Sequence, residues 1–450
     1  MAGAGEHPRA RATLPVLEPD GRPGVRISRS ADRRIAFAGL SVAAAFLALA
    51  VLSLLLPAAL RLGAWLPVHL ALAGAAATAI AALLPFFSGA MAAAPPARPV
   101  VRILGIVFVA GGAATATASL SLDIGGGILA ASAALLFVVG IGFVAAAIFL
   151  PLRGAFGQRR GLLERAYGMA MVNVAAGVTI VILHLGGNVA VATAWGNLKP
   201  AHAWLNLIGF AGLVIVATVT HLAPTVVGTR LRPRTSSRLA VVGVSVGSPL
   251  IALGYVLGLD PMTRLGALVV LLGAAGILAH AAVVHFDRAR GQWTTDLAWH
   301  RFTATALLAG QGWLALGFAI AATRVLLIGP TPAAWSLPLV SGPLVIGGVA
   351  QILLGAMSHL LPAIGPGDLA AHAQQRRLLG RGATLRLVGL NLGALLVTLG
   401  SGSDARPGDP PLVAIGLALA AASAALTLAM LIQARRASKL GRVALRAGLS

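Results

Sequence analysis

Long apolar blocks separated by short polar connections dominate the pattern of residues along this chain. A helix needs about 20 apolar residues to cross the hydrocarbon core of a bilayer. Twelve blocks reach about that length, at roughly residues 35–59, 64–88, 101–121, 125–150, 166–187, 201–225, 238–258, 264–285, 299–322, 337–361, 383–400 and 411–434. Backbone polar groups must be satisfied internally within lipid. We therefore predict an all-α, polytopic membrane bundle of about twelve transmembrane helices over residues 35–434, with no sizeable soluble domain inserted.

The positions of the basic residues predict on which side of the membrane each connection between helices lies. With the N-terminus placed in the cytoplasm, 29 of the 34 Lys and Arg fall on the inner side and 5 on the outer side. Cytoplasmic loops carry such an excess of basic residues, and one missing helix would reverse the pattern downstream. We predict a multi-pass protein of the inner (plasma) membrane with both termini cytoplasmic. Residues 1–34 are expected to be a disordered basic tail and 435–450 a second basic tail.

Composition narrows the classes of function. The net charge of +22 could indicate a nucleic-acid partner, but positive-inside topology accounts for it, so we expect a lipid bilayer and no nucleic acid as partner. The sequence contains no cysteine, which excludes thiolate metal sites and cysteine nucleophiles. All 12 Asp and Glu are predicted to lie in tails, loops or helix edges, which disfavours a cation-coupled transporter.

A weak internal repeat recurs every four helices. A Leu-Pro or Ala-Pro step closes the second, sixth and tenth apolar blocks at Pro85, Pro224 and Pro362, which are 139 and 138 residues apart. This spacing predicts three units of four helices in a pseudo-threefold bundle. The alternative is that proline simply ends many helices.

The histidines sort into two levels of the predicted bundle. His202 and His221 in the sixth block are 19 residues apart, which is roughly 28 Å along a helix and about the thickness of the bilayer core. His69, His184 and His202 share the outer level, and we predict that they bind haem or a metal ion, since imidazole is the commonest metal ligand.

The histidines of the inner level are less clearly grouped. His221, His280 and His359 are its candidate metal ligands, with His221 and His359 at matching repeat positions. His285 and His300 are expected to be interfacial. For each histidine the alternative is a neutral ring near a helix end that bonds a carbonyl group or reaches interfacial water.

Three segments carry a resemblance to a known group of proteins. Trp65–Ala97, His202–Arg230 and Gln351–Gly367 resemble actinobacterial polytopic membrane proteins, some of which are fused to copper nitrite reductase or multicopper oxidase domains. The layout is also distantly similar to NnrS-like haem and copper membrane proteins and to the twelve-helix subunit I of haem–copper oxidases. The resemblance implies that His69 and His202 are ligands of haem b or copper, and that a copper-containing redox protein is a partner.

The chain departs from the oxidase pattern, which requires a His-x-His on helix 10, a histidine pair on helix 7 and a tyrosine near the copper-binding histidine. The seventh block has no histidine, the tenth has only His359, and the only tyrosines are Tyr167 and Tyr255. We therefore expect no oxygen-reducing binuclear centre and no independent enzymatic activity.

Three functions remain open at this point. The first is a haem- or copper-binding membrane protein for electron transfer, nitric oxide handling or copper handling. The second is a transporter or permease for a small solute, with a central cavity lined by Asn206, Gln311 or Asn391. The third is a structural membrane partner of a copper enzyme, which predicts that His69→Ala and His202→Ala leave function intact.

Overall fold

The part of the chain that the structure describes forms twelve helices long and apolar enough to cross a membrane, as the sequence predicts. The computed structural model describes residues 29–91, 94–153, 161–232, 234–287, 296–364, 369–402 and 411–446, and none of these residues forms a strand. The spans are α1 Asp32–Ser53, α2 Trp65–Gly89, α3 Pro99–Leu122, α4 Gly126–Leu152, α5 Leu162–Leu185, α6 Trp195–Val227, α7 Thr235–Leu257, α8 Asp260–Phe286, α9 Leu297–Ile328, α10 Pro332–Ala363, α11 Ala383–Gly402 and α12 Leu412–Ala437. A shorter helix, Leu369–Gly380, precedes α11.

The first helix is displaced from its predicted position. It begins at Arg29, so that residues 29–34 are helical rather than part of the predicted tail, whose remaining residues lie outside the described part of the chain. Asp32 is buried in an ion pair with Arg102 at the start of α3, which holds this end of α1 in the bundle. The helix ends at Ser53 rather than at residue 59, because Pro57 interrupts it. At the other end of the chain, the last helix continues to Arg446, into the predicted second tail.

Three of the twelve helices form the centre of the bundle. In α2, α6 and α10, 72%, 78% and 61% of the most apolar stretch is buried, against 28–56% in the other nine spans. A helix with an apolar surface on all sides belongs either in a core or against lipid. The second helix of each four-helix unit is therefore central, and the other nine present more of their surface to lipid.

The packing inside each unit repeats three times. The third and fourth helices of a unit form its closest pair, α3 with α4, α7 with α8 and α11 with α12. Glycines permit each of these approaches: a Cβ on Gly140 would lie 2.6 Å from the Val109 nitrogen, one on Gly243 2.5 Å from the Gly273 Cα, and one on Gly416 2.8 Å from the Gly393 oxygen. Small residues of this kind let membrane helices pack closely.

The central helices share an unusual backbone conformation. Each contains a π-helical segment: π1 at Leu70–Ala76 in α2, π2 at Trp204–Gly212 in α6 and π3 at Ser341–Ala350 in α10. Segment π1 contacts both π2 and π3. Because π-helical turns are rare and are frequently found at functional sites, their recurrence in every fourth helix supports a genuine repeat and makes the bundle centre the first place to look for a site.

The first helix of each unit packs onto a glycine of the neighbouring π segment. A Cβ on Gly74 would clash with the Phe46 ring of α1, one on Gly209 with the Asn173 amide of α5, and one on Gly347 with the Trp313 ring of α9. Gly209 and Gly347 lie at matching positions, each 15 residues before the repeat proline, whereas Gly74 lies about one turn nearer to Pro85. Pro85, Pro224 and Pro362 lie inside the final turns of these central helices rather than at their ends.

Adjacent units meet in a closed ring. Helix α4 packs against α5, α8 against α9, and α12 returns to α1, where Arg435 donates a hydrogen bond to Ser41. The resulting arrangement surrounds α2, α6 and α10, and it brings the outer ends of α2 and α6 together.

Candidate functional site: a histidine pair at the outer end of the bundle centre

His69 lies at the junction between the first turns of α2 and segment π1. Its Nδ1 lies 2.8 Å from the Trp65 carbonyl oxygen one turn earlier. The Trp65 ring stacks on the imidazole, with centroids 4.2 Å apart and an interplanar angle of 25°. The backbone bond and the stacked ring together determine the orientation of His69.

His202 lies two residues before segment π2 in α6, and it is oriented by the neighbouring helix α5. Its Nδ1 lies 2.9 Å from the Gly177 carbonyl oxygen. Asn206, one turn further along, donates a 2.7 Å hydrogen bond to the His202 carbonyl and places its Nδ2 3.1 Å from the His202 Nδ1. A Cβ on Gly177 would lie only 2.2 Å from the Asn206 Nδ2, so that glycine is required for the close approach.

The hydrogen bonds assign the same tautomer to both rings. A backbone carbonyl oxygen can only accept, so the contacts with Trp65 and Gly177 place the proton on Nδ1 in both rings. With that tautomer of His202, the nearby Asn206 Nδ2 bonds the His202 carbonyl and not the ring nitrogen. The Nε2 of each ring then carries a free lone pair, and neither Nε2 has a hydrogen-bond partner among the residues that the structure describes. A histidine that donates its Nδ1 proton to a backbone carbonyl has the arrangement of a metal ligand with its supporting contact.

His69 and His202 lie on two central helices whose π segments contact each other, and they are within electrostatic reach of one another. Both side chains are half-buried, so that they are surrounded by protein but not sealed from small molecules. The outer end of α2 and α6 therefore offers two preoriented imidazole lone pairs in one region.

Neighbouring side chains stabilise the π segment that follows His202. Asn173 of α5 donates a 2.8 Å hydrogen bond to the Gly209 carbonyl, and Ser248 of α7 donates a 2.8 Å bond to the Trp204 carbonyl. A π-helical turn changes the intrahelical bonding, and these two side chains supply donors to carbonyls at the start and middle of π2. The backbone beneath His202 is thereby anchored to both adjacent helices.

His184, the third member of the predicted outer level, makes a different contact. Its ring stacks on Trp195 at the start of α6, with centroids 3.8 Å apart and an interplanar angle of 5°. Among the described residues, no group of three or more His, Asp or Glu side chains is arranged to hold a metal ion. The structure therefore brings together His69 and His202 but does not add His184 as a third ligand.

The inner level divides into two pairs. His221 of α6 lies within electrostatic reach of His280 of α8, and His359 of α10 within electrostatic reach of His300 of α9. The His359 ring stacks on Trp299, with centroids 5.3 Å apart and an interplanar angle of 10°. The repeat-matched residues His221 and His359 thus each have a different histidine as neighbour.

The polar residues proposed to line a transport cavity are largely engaged in hydrogen bonds between or within helices. Asn391 of α11 accepts a 2.7 Å bond from the Trp313 Nε1 and donates one of 2.7 Å to the Leu387 carbonyl. Asn206 bonds His202, and the Gln311 amide donates to the Leu307 carbonyl. Gln311 lines a cavity with room for about one water molecule, which is far smaller than a solute pathway.

No protein-family model matches the chain, and no curated protein matches it significantly.

Sequence reasoning missed the residues that orient the histidines. Gly177 and Ser248 carry no distinctive sequence signal, since glycine and serine are common in membrane helices and neither lies near His202 in sequence. Asn173 could have been noticed as a polar residue inside an apolar block, but its partner could not.

Proposed function

We propose that this twelve-helix membrane protein binds haem b or copper through His69 and His202, and serves electron transfer, nitric oxide handling or copper handling. The observation that carries the proposal is the pair of imidazoles on adjacent central helices, each with Nδ1 bonded to a backbone carbonyl and Nε2 without a partner. Imidazole nitrogen suits both copper and haem iron.

The site residues fit such a group by their chemistry. Both rings are neutral donors of an Nε2 lone pair, and Trp65, Gly177 and Asn206 hold them in place. When bound, haem or copper would supply one-electron chemistry or a position for a small gaseous ligand, and the apolar bundle would keep bulk water away. The resemblance of Trp65–Ala97 and His202–Arg230 to membrane proteins associated with copper enzymes supports the same proposal, with a copper-containing redox protein as the proposed partner.

A reduced-minus-oxidised absorption spectrum combined with metal analysis tests this function. The full chain is purified from its natural membrane, together with the variants His69→Ala and His202→Ala. We expect a haem b spectrum or about stoichiometric copper in the unmodified chain, and a loss of at least about tenfold in cofactor content or a changed spectrum in each variant, since each removes one of the two proposed ligands.

His285→Ala is the matched control, because this histidine lies at the far end of α8 with its ring against Phe286. Its cofactor content should equal that of the unmodified chain. A chain that is colourless and free of metal in both redox states would refute the proposal, and it would favour the structural-partner function instead.

A further inference from the structure

A second polar site lies in the inner half of the bundle, away from His69 and His202. A small cavity there is lined by residues of α6, α7, α8 and α9. Most of its lining is apolar, and its polar members are three side chains on three helices: Thr220, His280 and Gln311.

His280 is the unusual member of this lining. Only 1% of the residue is exposed, and neither ring nitrogen has a hydrogen-bond partner among the described residues. A buried polar group without a partner costs about 1–3 kcal/mol, and most such groups in proteins are bonded to protein or to ordered water. The ring therefore requires a partner that the neighbouring side chains do not provide.

The other polar members leave bonding capacity on the cavity side. The Gln311 Nε2 donates to the Leu307 carbonyl at 3.1 Å, which leaves its Oε1 as an acceptor without a protein partner in the described residues. The Thr220 hydroxyl donates to the Ala217 carbonyl at 2.7 Å and lies 3.2 Å from the His221 Nδ1, which leaves one lone pair on its oxygen. One neutral imidazole provides one donor and one acceptor toward these groups.

The charges around the cavity and the volume of the cavity limit the class of ligand that it can bind. The described cavity lining contains no carboxylate, and Arg234 lies within electrostatic reach of His280, so that a cation is disfavoured. The volume corresponds to about one water molecule. An apolar gas of that size would bond neither nitrogen of His280, whereas one water molecule can bond one of them.

We propose that this cavity binds one water molecule, held by a ring nitrogen of His280 and by the Gln311 Oε1, with the Thr220 hydroxyl as a further partner. Two to four polar partners are the usual requirement for a buried water. The site is independent of the outer histidine pair and does not require haem or copper.

Cryo-electron microscopy of the full chain in lipid nanodiscs, at a resolution that shows ordered waters, tests the proposal directly. We expect a density peak within hydrogen-bonding distance of His280 and Gln311. The variant His280→Phe keeps a ring of similar size but has no nitrogen, and its cavity should lack the peak. The control His285→Phe on the same helix should retain it. A cavity without density in the unmodified chain would overturn the proposal.

Radiolytic labelling in oxygen-18 water provides a second measurement that does not depend on resolution, because hydroxyl radicals formed at a bound water label the nearest side chains. We expect labelling at Ile277 and Leu314 in the unmodified chain and at least a fivefold decrease in Gln311→Leu. This second variant also covers the case in which His280→Phe does not fold. Equal labelling in Gln311→Leu and the unmodified chain would contradict the assigned partners.

Discussion

The outer and inner histidines of this bundle differ in how their nitrogens are satisfied. At the outer end, His69 and His202 each bond a carbonyl through Nδ1 and keep Nε2 free. At the inner end, His280 has no protein partner for either nitrogen among the described residues. The first arrangement leaves one lone pair available to a ligand atom, whereas the second leaves both ring nitrogens without a protein partner, one of which the proposed water would bond. Similar residues at two levels of one bundle thus have different chemical roles, because their supporting contacts differ.

The largest expected effect comes from Gly177→Val, which removes the close approach that the outer site needs. The first added carbon would lie 2.2 Å from the Asn206 Nδ2 and would displace Asn206 and His202. Overpacking of this kind costs about 3 kcal/mol at its upper range. Thermal unfolding in detergent should show a lower midpoint, and bound haem or copper should be lost.

Gly142→Val is the control for this substitution. A Cβ at Gly142 would meet no atom within 4 Å, so we expect little change in the unfolding midpoint and none in cofactor content. If Gly177→Val retained full cofactor content, His202 would not depend on the contact with α5.

A smaller effect is expected from Asn173→Leu, which removes the donor to the π2 backbone without a large change of volume. The Gly209 carbonyl would lose its 2.8 Å hydrogen bond, at a cost of about 1–2 kcal/mol. The unfolding midpoint should fall, and cofactor content should decrease only in part, because the direct contact of His202 with Gly177 remains.

Thr179→Val on the same helix is the comparison for Asn173→Leu. The Thr179 hydroxyl bonds the Ala175 carbonyl of its own helix at an exposed position, so its removal should change the free energy of unfolding by less than about 0.5 kcal/mol. Equal destabilisation by the two variants would show that the bond to π2 has no special importance.

The smallest effect is expected from His184→Ala, which tests whether the outer site is a pair or a trio. His184 stacks on Trp195, and the loss of a single stacked pair costs about 1 kcal/mol or less. Haem or copper content should equal that of the unmodified chain. A loss of haem or copper as large as in His202→Ala would show that His184 is a ligand.

The repeat illustrates how much of the architecture could be anticipated from residues alone. The apolar blocks and the distribution of Lys and Arg were sufficient for twelve helices, because membrane crossing depends on local composition. The spacing of Pro85, Pro224 and Pro362 indicated three units, and the π segments in the same helices support it. The π conformation itself was not predicted, since it depends on contacts such as Asn173 with Gly209 and Trp313 with Gly347.

For the candidate sites, the sequence determined which residue types are present and at which level of the membrane each lies. It placed His69 and His202 at one end and His221, His280 and His359 at the other, because helix length and direction follow from the chain. Only the tertiary structure decided which rings are neighbours and which nitrogens are bonded. Those properties depend on side chains from helices distant in sequence, where Gly177 orients His202 and no protein group reaches the nitrogens of His280 among the described residues.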